Sequence, residues 1–231
     1  MIQMDRLRGL IVSVQAAANS PLAPVEVITA MARAAEEGGA VALRIEGCKN
    51  VAAVKAAVRV PVIGLIKRSY AQFEPYITPT VAEVEQLLAA AADIIAFDAT
   101  LRSRPAATTV EQLVDRIKRG GAVPMADCST QDDAFAAQRL GAPILATTLC
   151  GYTMETAGMK LPAIQLVRAL CGCGALVVCE GGVRDASDVR AARDAGADAI
   201  VVGTAITNIA SVTAQFAAPL HAHTRTDATA V

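Results

Sequence analysis

Several short apolar runs in this chain end on a polar or charged residue. Gln15, Arg44 with Glu46, Lys67 with Arg68, Asp98, Asp127 and Glu180 each close such a run. If the runs are strands, side chains alternate between faces, and Arg44 and Glu46 share one face. A charge at the end of a buried strand is costly unless it serves another charge or a ligand. A ring of ion pairs closing the sheet would account for Arg44 and Asp98 as well as a binding site would. Lys67 and Glu180 have a more specific use. Set on opposite sides of a substrate, an amine and a carboxylate can take a proton from one face of a carbon and return one to the other. That step inverts a stereocentre beside a carbonyl. Lys67 must be partly neutral to act as a base, and Arg44 or Arg68 nearby could lower its pKa. Asp127 could orient a substrate group or one of the two bases. Such a step requires no metal or organic cofactor, and none is expected.

Other chemistries are poorly supplied. The two histidines, His221 and His223, lie near the C-terminus, which argues against a histidine triad, a histidine-type zinc site or a histidine base. Cys48, Cys128 and Cys150 follow apolar runs and could face the same site, so a thiol nucleophile stays open, although none has an obvious base partner. With 54% hydrophobic residues the core is ample, so the six cysteines are expected to be reduced structural thiols. Cys171-Gly172-Cys173 reads as a small-residue helix ending rather than a metal or redox motif. A net charge of -1 gives no electrostatic footprint for nucleic acid. The uncharged stretch 199–224 is broken by Gly203, Asn208, Gln215 and Pro219, so no membrane span is expected. Arg6 and Arg8 before an apolar stretch resemble a weak export signal, but its removal would take the first strand with it. A cytoplasmic enzyme is the expectation.

The elements that must position these residues recur regularly. Strand-length apolar runs fall at Leu10–Gln15, Val41–Glu46, Val62–Lys67, Ile94–Thr100, Val123–Asp127, Ile144–Thr148, Leu176–Glu180 and Ile200–Thr204. Between them lie helical patterns such as Val25–Glu37, Val81–Ala92, Val110–Lys118, Asp132–Leu140 and Ala186–Ala195, several followed by glycine. Thr80 with Glu83 reads as a capping box. Strands alternating with helices predict a parallel sheet, and a spacing of roughly 27 residues suits an eightfold (β/α)8 TIM barrel in the α/β class. An open doubly wound sheet would carry a glycine-rich fingerprint after its first strand, where this chain has Ser13-Val14-Gln15-Ala16. One barrel domain is expected over residues 1–220, with a loose tail over 221–231. In such a barrel, strands three and seven stand opposite each other, as the two-base reading of Lys67 and Glu180 requires. The loops after strands seven and eight are the usual phosphate site of this fold. Here they read Gly181-Gly182-Val183-Arg184 and Gly203-Thr204-Ala205-Ile206, either anion-binding backbone or ordinary tight turns.

At these residues the sequence resembles the N-acetylmannosamine-6-phosphate 2-epimerase family from about Leu7 to Phe216. The resemblance is carried by Gly9-Leu10-Ile11-Val12-Ser13 with Gln15, Leu43-Arg44-Ile45-Glu46-Gly47 and Pro61 to Arg68. Ile77-Thr78-Pro79-Thr80, Asp98-Ala99-Thr100, Ala126-Asp127, Thr147-Thr148-Leu149, Gly151-Tyr152-Thr153, Glu180-Gly181 and Val201-Val202-Gly203 continue it. It implies a TIM barrel in which Lys67 and Glu180 act as acid and base at C2 of a phosphorylated amino sugar, N-acetylmannosamine 6-phosphate. It further implies that Gln15, Arg44 and Asp127 contact or orient the substrate, and that Gly182, Gly203 and Thr204 lie in the phosphate loops. The family is commonly dimeric, so a homodimer is expected. Two positions depart from its pattern: Gly182 and Asn208 stand where an arginine is common. A Schiff-base aldolase using Lys67 and a non-catalytic sugar-phosphate sensor are the competing readings.

Overall fold

The computed structural model describes residues 3–222. Eight parallel strands close into a ring in sequence order: β1 (Gly9–Val14), β2 (Ala42–Glu46), β3 (Val62–Leu65), β4 (Ile94–Asp98), β5 (Val123–Asp127), β6 (Ile144–Ala146), β7 (Leu176–Cys179) and β8 (Ala199–Val202), with β8 pairing back onto β1. The crossovers are α1 (Val25–Glu37), α2 (Cys48–Ala57), α3 (Val81–Ala89), α4 (Val110–Arg119), α5 (Gln131–Arg139), α6 (Ile164–Leu170) and α7 (Ala186–Asp194). A short α8 (Thr204–Thr207) and a longer α9 (Ile209–Ala222) follow the last strand. This is the (β/α)8 barrel that the alternating pattern predicts. Residues 221 and 222 complete α9, and the remainder of the expected 221–231 tail lies outside the described residues.

Alternation along each strand builds two cores. Ile11, Ala42, Ile63, Leu65, Ile94, Ala96, Met125, Ile144, Ala146, Leu176, Val178, Ala199 and Val201 fill the barrel interior, with Leu7 at its floor. The intervening residues, among them Val12, Leu43, Ile45, Ile95, Phe97, Leu145, Val177 and Val202, face the helices. The same parity carries on past the strand ends. The next inward position after Ala42 is Arg44, after Leu65 is Lys67, after Ala96 is Asp98, after Met125 is Asp127, after Ala146 is Thr148 and after Val178 is Glu180.

Local signals explain several boundaries. Thr80 caps α3 in a capping box completed by Glu83, as its spacing predicts, and Thr109 with Gln112 does the same for α4. Most strands are one or two residues shorter than their apolar runs, chiefly because the last residues turn out of the ladder to form the mouth. Cys171 closes α6, and Gly172 and Gly174 follow it in left-handed backbone, so the Cys-Gly-Cys segment is a helix ending. All six cysteines are free thiols. Cys128 and Cys150 do not face the mouth but pack in the outer core, where burial pushes both thiols up. Cys48 opens α2 and packs against the same layer. The thiol-nucleophile alternative loses its geometry. Among the described residues no helix is long and apolar enough to cross a membrane.

Candidate active site

Arg44 organises the mouth of the barrel. It is 1% exposed and reaches across the interior to β5, where Nη1 and Nη2 donate to Asp127 Oδ1 and Oδ2 at 3.2 and 2.7 Å. Its Nε lies 3.2 Å from Glu180 Oε1, close enough for ion pairing but without hydrogen-bond alignment, and it has no other partner. Burial opposes the guanidinium charge, but Asp127 and Glu180 together hold it protonated. A bidentate fork of this kind fixes orientation as well as charge.

Glu180, just past β7, is shifted most tellingly. Burial pushes its carboxyl up to about 7, against the pull of Arg44 and Lys67, and the negative Asp127 adds to the rise. It can therefore hold a proton near neutrality. On the other side of the ring, four strands away, Lys67 sits at the rim just past β3. Partial burial of its amine, followed by the positive Arg44, lowers its pKa, with Glu46, Glu180 and Asp127 opposing. Arg68 takes no part in this shift; its guanidinium turns away to Glu83 at 2.8 Å. Lys67 is fastened by a small antiparallel bridge to Ile77, and its N–H donates to Glu46 Oε1 at 3.3 Å. The Lys67–Ile77 segment is held in turn by Glu83 of α3, which accepts from Arg68 and from the Tyr70 hydroxyl at 2.8 Å.

Asp98 belongs to a different cluster. It accepts from Thr100, Arg102 and Arg104, and so ties the β4–α4 loop to its strand. For Asp98 the ion-pair ring describes the arrangement, and Arg44 is likewise paired, between Asp127 and Glu180. Gln15 lies half-buried at the mouth but donates to Ser13 Oγ at 2.9 Å rather than to the charged cluster. Gly182 stands in the β7–α7 loop, where Gly181 and Gly182 both take left-handed backbone, and Gly203 joins β8 to α8, which Thr204 opens. A Cβ at Gly182 would meet Leu161 Cβ at 2.4 Å, so Leu161 occupies the space that a side chain would need. Arg184 pairs with Asp188 in the first turn of α7, and Asn208 Oδ1 caps α9 by accepting from the Ser211 N–H. Neither departure from the family pattern is an empty position; each has been given another structural job.

Two features of the mouth were not legible as site residues. Thr148 places its hydroxyl between Asp127 and Glu180, and Tyr76 lies within reach of the charges of Asp127, Asp98 and Arg44, with burial first and then Asp127 raising its phenol. The period-two register of β6 and the Thr147-Thr148-Leu149 block were the signals for Thr148. Nothing local marks Tyr76, because the bridge of Lys67 to Ile77 brings it there.

Taken together, a closed (β/α)8 barrel with a neutral-range carboxyl and a depressed lysine facing each other across its mouth defines an acid–base enzyme architecture. The family model described as "Putative N-acetylmannosamine-6-phosphate epimerase" matches residues 28–222. The chain belongs to this family. Relatives named "Putative N-acetylmannosamine-6-phosphate 2-epimerase" include one from Escherichia fergusonii, 45% identical over 87% of this chain and 86% of its own length. Another, from Escherichia coli O7:K1, is 44% identical over 90% and 92%. Among solved structures, the N-acetylmannosamine-6-phosphate 2-epimerase from Clostridium perfringens superposes with a TM-score of 0.90 at 37% identity, covering 94% of this chain and 96% of that one. A thiamine phosphate pyrophosphorylase from Pyrococcus furiosus, at 17% identity and a TM-score of 0.59, shares the fold alone.

Proposed function

We propose that this chain interconverts N-acetylmannosamine 6-phosphate and N-acetylglucosamine 6-phosphate by removing and returning the proton at C2, without a cofactor. The observation that carries the reading is the pair of opposed shifts, Glu180 up and Lys67 down, on opposite sides of one ring. C2 becomes acidic only beside the open-chain aldehyde. Neutral Lys67 takes the C2 proton from one face and leaves an enolate; protonated Glu180 delivers its own proton to the other face. In the reverse direction Glu180 is the base and Lys67 the acid, so the pair holds one exchangeable proton in either resting state. The Arg44–Asp127 fork supplies a fixed positive and negative pair beside the reacting carbon, and Gln15, Arg44 and Asp127 orient the sugar. Gly182, Gly203 and Thr204 receive the phosphate through backbone N–H groups, as loops after the last two barrel strands commonly do.

The same reading places the enzyme in the cytoplasmic breakdown of sialic acid and other amino sugars, working as a homodimer. Support for the dimer comes from α9, whose principal neighbour is the short α8 and whose Ile209, Phe216 and Leu220 are 59, 77 and 75% exposed. An apolar helix left this bare is most simply covered by a second copy.

The decisive experiment follows the C2 hydrogen by NMR in deuterated water with N-acetylmannosamine 6-phosphate. Wild type is expected to incorporate deuterium at C2 as the gluco epimer appears, and Glu180→Gln and Lys67→Met to lose both. Folded wild type that exchanges nothing would sink the substrate assignment. A covalent adduct on Lys67 after borohydride reduction would favour the aldolase instead.

A further inference from the structure

β6 brings to the mouth a residue that the acid–base pair does not include. Thr148 follows Ile144 and Ala146 on the inward face, and its Oγ lies 2.7 Å from Asp127 Oδ1 and 3.1 Å from Glu180 Oε2. A threonine hydroxyl has one proton and two lone pairs, so it cannot donate to both carboxyl groups at once. Asp127 is the nearer partner, and its Oδ1, which accepts from Arg44 Nη1, has a second lone pair for the hydroxyl proton. Donation to Glu180 instead would hold that carboxyl down but would forfeit the shorter bond to Asp127, so the Thr148 oxygen presents its lone pairs to Glu180.

We propose that Thr148 is a positioning residue that donates to Asp127 and accepts from Glu180, and so favours the proton-bearing form of Glu180 in the resting site. The inference rests on the acid–base reading of the mouth and adds the group that decides where its proton waits. With Glu180 protonated, the contacts form a chain of two hydrogen bonds, Glu180 O–H to Thr148 Oγ and Thr148 O–H to Asp127. With Glu180 ionised, the single hydroxyl proton serves one carboxylate or the other, and one bond is lost. No atom changes hands; a rotation about the Cβ–Oγ bond follows the proton. The charged groups around Glu180 pull in different directions. Arg44 from β2 and Lys67 beyond β3 favour its ionised form, while Asp127 from β5 opposes it; Glu46 acts on Lys67, and Tyr76 feels the charge of Asp127. Among these, Thr148 is uncharged and acts through hydrogen-bond direction alone.

The test compares Thr148→Val, which keeps the shape and removes the hydroxyl, with Thr148→Ser, which keeps the hydroxyl. The Glu180 carboxyl is titrated by ¹³C NMR in protein labelled at the glutamate carboxyl carbons, its signal assigned by loss in Glu180→Gln. Thr148→Val is expected to lower the Glu180 pKa by about one pH unit, the worth of one net hydrogen bond, and Thr148→Ser to leave it within a few tenths. Thr148→Ala serves if the valine variant does not fold, with the same expected direction. An unchanged or raised pKa without the hydroxyl would overturn the proposal, since a hydroxyl that donated to Glu180 would have kept its pKa down. The titration uses free protein, so it stays readable even if the sugar assigned to the site is wrong. With substrate, the limb of the pH–rate profile set by Glu180 should move in the same direction in Thr148→Val and stay in place in Thr148→Ser.

Discussion

Arg44 shows how one buried residue ties two carboxyl groups of the mouth together. Its guanidinium is buried between Asp127 and Glu180, and a buried pair broken from one side leaves an uncompensated charge. Arg44→Met is therefore expected to cost about 3–5 kcal/mol in urea unfolding at pH 8. That deficit should shrink at pH 5, because Glu180 loses the cation that favoured its ionised form and protonates more readily. Glu180 has its own signature. Its carboxyl is raised from 4.5 to about 7 in the folded protein, so the native state holds a proton that the unfolded chain has released. Its contribution is fully present below about 4.5 and is lost as pH rises to about 7. Glu180→Gln carries no such proton. Its stability relative to wild type should rise between pH 5 and 7 and level off above that, measured by unfolding at a series of pH values. Turnover in the same variant should fall by about 10²–10⁴-fold, the usual worth of a proton-transfer group.

At the level of elements, Lys67 depends on a loop and that loop depends on α3. Glu83 is fully buried, completes the Thr80 cap and also receives Arg68 and Tyr70. Glu83→Ala should cost roughly 1–3 kcal/mol through the donors it leaves unmatched. Because the loop holds Lys67, turnover should drop by up to about 10²-fold, as small misplacements of a reacting group do. A fall in stability with unchanged turnover would show that Lys67 is positioned from β3 alone. The β7–α7 loop supplies a second case. Gly182 has a φ of +73° and Leu161 Cβ in the place of its own Cβ. Gly182→Ala should cost roughly 2 kcal/mol or more through strain and overpacking. Adding Leu161→Ala should not relieve it, since the atom in contact is the β-carbon that alanine retains; calorimetry of the single and double variants checks this.

At the scale of the whole molecule, the barrel accounts for the opposed placement of Lys67 and Glu180, while α9 lies outside that logic. Its Phe216 and Leu220 are bare, in a helix that carries no Asp, Glu, Lys or Arg. Phe216→Glu with Leu220→Glu is expected to halve the solution mass measured by light scattering. A wild type that is already monomeric would remove the dimer from the reading.

What the sequence determined by itself was the periodic part. Strand length, helix spacing, capping residues and the parity of inward positions are local properties, and they placed the barrel and put Arg44, Lys67, Asp127 and Glu180 at one end of it. Pairing between distant strands was beyond it, since nothing in the sequence says that Arg44 should fork onto Asp127, that Glu83 should anchor the Lys67 loop, or that Leu161 should fill the space beside Gly182. Cys128 and Cys150 show the same limit: each follows a strand, and only the packing of the helices decided that their thiols belong to the outer core. The tertiary structure also decided the protonation of the site. A carboxyl titrates near 7 because of the burial and the neighbouring charges that closing the ring imposes, and these come from strands far apart in the chain.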